Sequence, residues 1–69
     1  MPKFYFTFGQ IHVHRVNGKT FDHDCVVEIE TSDYGSARQE MLDTFGSEWS
    51  FQYKELPDMK YFPRGIFHI

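Results

Sequence analysis

The chain has 69 residues, a formal charge of −3, one cysteine, eight Phe, four Tyr and one Trp. That length supports one domain, residues 1–69, near the lower limit of self-sufficient folding, and the aromatic rings supply the large buried area per residue that so small a core needs. A lone Cys25 excludes an internal disulfide and any C-x-x-C zinc site, no apolar stretch approaches the roughly 20 residues of a membrane span, and no leader cleavage site is visible. A cytoplasmic protein that stays off membranes is the expectation. The basic residues Lys3, Arg15, Lys19, Arg38, Lys54, Lys60 and Arg64 are scattered, so nonspecific nucleic-acid binding, which draws its affinity from a basic stripe, is disfavoured.

Phe4, Phe6 and Phe8 alternate with Tyr5 and Thr7, the period of a half-buried strand. Beyond Gly9-Gln10 the apolar residues are Ile11 and Val13, so the parity flips. A β-bulge at Gly9 or Gln10 would restore one apolar face of Phe4, Phe6, Phe8, Ile11 and Val13. It would also gather Tyr5, Thr7, Gln10, His12 and His14 on the opposite face.

Asn17-Gly18 favours a type I′ hairpin, since both residues tolerate positive φ, and turns the chain back into DHDCVVEIE. There Cys25, Val27 and Ile29 point inward while Asp24, Val26, Glu28 and Glu30 point outward. Asp33 is placed to cap a helix over roughly 33–45, whose apolar stripe is Tyr34, Ala37, Met41, Leu42 and Phe45 and whose stop is Gly46. Trp49, Phe51 and Tyr53 alternate as a third strand. Leu56-Pro57-Asp58 breaks it, and Pro63 and Gly65 leave room for a short edge strand over 65–69. The expected class is α+β, ββαβ(β), with a single helix packed on one face of an antiparallel or mixed sheet. The other face is then left to solvent or to a partner.

His12 and His14 at i and i+2 of a strand would point the same way, a geometry a metal ion can use, with His23, Asp22 or Asp24 as the further ligand from across the hairpin. No HExxH and no cysteine partner accompanies them, and exposed strand positions tolerate histidine, so no resident metal or cofactor is expected. Two-histidine phosphodiester chemistry asks for H-x-Ser/Thr motifs, whereas Val13 separates His12 from His14 and His68 is followed only by Ile69. Cys25, at an inward strand position with no basic neighbour in sequence, is a packing residue. Base-stacking RNA recognition lacks its consensus. A nucleotide ligand is a further reading, with His12, His14, Arg15 and Arg64 around phosphates in a pocket formed between subunits of a homo-oligomer. In the YFPRG tail, Tyr61 and Arg64 flank a proline-fixed loop in the manner of interface anchors.

The segments FTFGQIHVH, DCVVEIE, YGSARQEMLDTFGSEWSFQY and PRG together resemble a set of small proteins, mostly of unassigned function, encoded by bacteriophages and prophages. The succession is also similar in style to anti-CRISPR and other anti-defence proteins. Those families differ in fold, so the resemblance carries a context and no residue roles. It implies an accessory protein of the infected bacterial cytoplasm, a non-enzymatic inhibitor that binds a host or defence-system protein. The acidic positions Asp22, Asp24, Glu28 and Glu30 would allow local charge mimicry at most. On the open face and loops, Tyr5, Gln10, His12, His14, Arg15, Tyr61 and Arg64 are the expected contacts. A metal-dependent enzyme using His12 and His14, with His23, is the remaining alternative.

Overall fold

The computed structural model describes residues 2–16 and 18–68. Strands β1 (Lys3–Thr7), β2 (His14–Val16), β3 (Lys19–Phe21) and β4 (Cys25–Glu30) precede a single helix, α1 (Tyr34–Phe45), which is followed by β5 (Phe51–Tyr53) and β6 (Gly65–His68). Four strands form a mixed sheet in the order β5-β1-β4-β6, and β2-β3 form a separate two-stranded sheet. Among the described residues the fold is α+β with one α-helix, as the pattern predicts.

The helix begins where a carboxylate can satisfy its first free amides. Asp33 accepts the Ser36 N–H at 2.7 Å, and this bond holds its carboxyl below the usual range. It ends at Gly46, whose φ of 67° is open to glycine and whose N–H returns to the Leu42 carbonyl at 2.9 Å. Ala37, Met41 and Phe45 are its buried stripe. They meet Phe4, Phe6, Phe8, Phe21, Cys25, Val27 and Ile29 in one core, with Val16, Trp49 and Phe67 at its margin. Edge-on ring contacts run through it, Phe8 to Phe45 at 5.2 Å, Phe21 to Phe45 at 5.1 Å and Phe21 to Phe67 at 5.3 Å between centroids.

The expected bulge does not form. β1 stops at Thr7, Phe8 is the last core residue of the segment, and a tight turn follows in which the His12 N–H reaches the Gly9 carbonyl at 3.0 Å. Ile11 and Val13, expected in the core, are 89% and 62% exposed. The physical reason is that His14–Val16 pairs with Lys19–Phe21 as its own small sheet, so nothing forces one continuous face across residues 4–14. The hairpin itself is present, with Gly18 at φ 79°, while Asn17 lies outside the described residues. A turn at Asp22–Asp24 then separates β3 from β4, dividing what the pattern suggests is one strand.

The face away from α1 is not open either. β1 is antiparallel to both β4 and β5, and β6 is parallel to β4, so the connections β4 to β5 and β5 to β6 both join parallel strands. They run in opposite directions along the sheet, and right-handed crossovers therefore place them on opposite faces. α1 occupies one, and residues 54–64 cross the other. Burial agrees. Val26 and Thr7 face away from the helix and are buried, and Pro57, Met59 and Phe62 of the crossover are half-buried without joining the helix-side core. A one-turn 3-10 helix, Met59–Tyr61, lies within this crossover, capped by Asp58.

Candidate functional site

Two histidines that sequence parity places side by side serve different structural tasks. The His12 ring turns back on its own loop, where Nδ1 accepts the Gly9 N–H at 2.9 Å. The His14 ring lies in the aromatic core margin, 5.7 Å from Phe8 and 5.0 Å from Phe45 between centroids, with Nε2 2.7 Å from the Glu48 carbonyl oxygen. Neither stands on the sheet face that carries Tyr5. Gln10 and Arg15 are exposed on the turn and on β2. The single face of Tyr5, Thr7, Gln10, His12 and His14 is thus reduced to Tyr5 and Thr7, because the turn at Gly9 reorients everything after it.

Tyr5 is half-buried and stands in a cross-strand row with Tyr53 on one side and Glu28 on the other. Glu28, expected outward and solvated, is buried, and its two oxygens are taken by Lys3 Nζ at 3.3 Å and His68 Nδ1 at 3.4 Å. The bond to Glu28 raises the Lys3 ammonium above its ordinary range. The Lys3 ammonium thereby compensates a buried carboxylate, with the His68 ring beside its second oxygen.

Arg64 is an internal strut. Its Nη1 donates to Asp22 Oδ2 and its Nη2 to the Thr20 carbonyl, both at 2.8 Å, while its backbone N–H reaches the Asp24 carbonyl at 3.0 Å. Tyr61 is exposed, with Lys60 Nζ 5.1 Å from its ring centre. Arg64 and the two histidines do not converge on a common anion. Among the described residues, the ligand atoms that gather within 4.8 Å of one another as a group of three belong to Asp22, His23 and Asp24, without His12 or His14. Asp22 in that group is already engaged by Arg64 and by the Asp24 N–H at 3.0 Å. Cys25 is fully buried and its sulfur faces the Asp22 carbonyl at 3.4 Å, and burial pushes its thiol above the ordinary range.

The surface that sequence reasoning missed is the edge at β5. Gln52 pairs with Phe6 on the helix side, and its Nε2 donates to the Tyr34 carbonyl at 3.1 Å. Phe51 and Tyr53 therefore face away from α1. They are 64% and 39% exposed, with ring centres 6.3 Å apart. Trp49, two residues earlier, turns the other way and packs edge-on against Phe6 at 5.2 Å. The residues 49–53 that alternate as one strand face are thus split between core and surface. The Gly9 turn abuts the start of β5, since a Cβ added at Gly9 would lie 3.1 Å from Ser50 Oγ, and that turn carries the exposed Ile11 and Val13. The signal available in the sequence was Gln52 between two aromatics, which fits either face and so decides nothing by itself.

No helix among the described residues is long and apolar enough to cross a membrane. No protein-family model matches the chain, and no match was found among curated proteins or solved structures.

Proposed function

We propose that the protein is a non-enzymatic binding module that docks the β5 edge of its sheet onto another protein. The observation that carries this is the pair Phe51 and Tyr53, two large rings left exposed on an edge strand in a chain whose other strand aromatics, apart from the half-buried Tyr5 and Phe67, are buried. Such rings contribute area at low entropic cost and are what protein interfaces bury at their centres. Edge strands also offer unpaired backbone groups to a partner. The resemblance to small phage proteins suggests the setting, an inhibitor that binds a host or defence-system protein in the bacterial cytoplasm.

Geometry weighs against the two other readings. A nucleotide sponge needs cations around a phosphate, whereas Arg64 is committed to Asp22 and Thr20. A metal enzyme built on His12 and His14 needs ring nitrogens of both to converge with a third ligand, whereas the group of candidate ligands among the described residues leaves both out, and the His14 ring lies against Phe8 and Phe45. Of the contacts expected from sequence, His12, His14 and Arg64 are accordingly set aside in favour of Phe51 and Tyr53. Affinity capture from bacterial lysate tests this with the wild-type chain and a Phe51→Ser/Tyr53→Ser variant. A partner held in stoichiometric amount by the first and lost by the second is the expected result. Equal recovery by both would overturn the site.

A further inference from the structure

On the helix side of β5, two cations lie over two aromatic rings. The Arg38 guanidinium carbon is 5.2 Å from the Trp49 ring centre, and Lys54 Nζ is 5.8 Å from that of Tyr34. Tyr34 and Arg38 stand about one turn apart on α1. The bond from Gln52 to the Tyr34 carbonyl fixes β5 against that stripe. The ion pairs among the described residues engage Lys3, Lys60 and Arg64, the rings of His23 and His68 also lie against carboxylates, and Arg38 and Lys54, like Arg15 and Lys19, are in none of these contacts. In a chain of net charge −3, this edge therefore keeps two cations without a carboxylate partner among the described residues.

The edge thus has two unlike sides. Phe51 and Tyr53 line one, Arg38 and Lys54 the other, and the outer rim of β5 between them has no strand partner among the described residues. A strand laid along that rim would present successive side chains to opposite sides. We infer that the partner supplies an extended acidic segment that adds to β5 as a further strand, with apolar residues on Phe51 and Tyr53 and alternate Asp or Glu residues toward Arg38 and Lys54. This rests on the binding role proposed above. Main-chain bonds would give the affinity, and the charges would set register and speed encounter. Single-stranded nucleic acid also uses rings and cations, but it asks for a continuous basic groove, and here the exposed Glu48 and Glu55 adjoin Trp49 and Lys54 in sequence.

A random linear peptide library panned on the full chain tests the inference. Selected peptides should alternate acidic and apolar residues, and in solution they should shift the amide resonances of residues 51–53. An Arg38→Glu/Lys54→Glu variant, both positions being exposed, should fold as the wild type does, bind those peptides about tenfold more weakly and select basic ones instead. Failure to select peptides, selection of neutral or basic sequences by the wild type, shifts centred elsewhere, self-association through β5, or competition by a single-stranded oligonucleotide would each overturn it. If the Phe51→Ser/Tyr53→Ser variant loses a lysate partner that the charge-reversed variant retains, the binding role stands and the acidic strand falls. If both variants retain it, both fall.

Discussion

The His12 ring accepts the N–H of Gly9, three residues back, at 2.9 Å, and through this bond the chain leaves the main sheet. An accepting Nδ1 requires the proton of the neutral ring to sit on Nε2. Nitrogen chemical shifts should therefore show the Nε2–H tautomer for His12. In a His12→Ala variant the Gly9 N–H loses this acceptor, so its amide hydrogen should exchange faster than in the wild type.

Phe51 and Phe6 are aromatic residues of neighbouring strands with opposite fates. Phe6 is fully buried and Phe51 is not. Phe6→Ala should cost about 3–5 kcal/mol, a large share of the roughly 5–15 kcal/mol available to a small domain, and leave little folded protein. Phe51→Ser should stay within about 0.5 kcal/mol of wild type in urea unfolding, because it removes no core contact. A comparable loss from both would mean that β5 is packed rather than presented.

Arg64 ties the start of β6 to the turn after β3 through two acceptors on different residues, Asp22 and Thr20. Arg64 is exposed and solvent screens part of that gain, so Arg64→Ala should cost about 1–2 kcal/mol. Arg64→Lys should not restore it, since one ammonium lacks the planar fork that reaches both oxygens. Hydrogen exchange should quicken in residues 65–68 before it does in β1 or β4.

Cys25 and Asp33 give opposite pH signatures. Burial raises the Cys25 thiol, so its contribution to stability is present below the unfolded thiol pKa and is lost as pH rises beyond it. Native protein should react slowly with a thiol reagent at pH 8 and rapidly once unfolded. The Ser36 amide lowers the Asp33 carboxyl, so that stabilisation is present above the unfolded carboxylate pKa and lost as pH falls through the folded one. Asp33→Ala should lower the urea midpoint at neutral pH, with the difference from wild type disappearing in acid.

Local chemistry made much of the fold legible. Asp33 and Gly46 bound the helix because an acceptor and a positive φ are needed there, and the inward set Cys25, Val27 and Ile29 follows from strand parity. The histidines misled because parity arguments assume an unbroken strand, and a side chain closing on Gly9 is invisible to periodicity. Glu28 misled for a different reason. Its burial depends on a crossover and on Lys3 and His68, residues at opposite ends of the chain. The β5 edge was hidden because Trp49, Phe51 and Tyr53 share a parity that the backbone abandons between Trp49 and Phe51.

The most direct test is amide hydrogen exchange of the chain with and without the partner recovered by affinity capture. Protection gained over residues 51–53, with little change in the β2–β3 hairpin or the Asp22–Asp24 turn, is the predicted result. Protection centred on that hairpin or turn, with β5 exchanging as in the free protein, would contradict it.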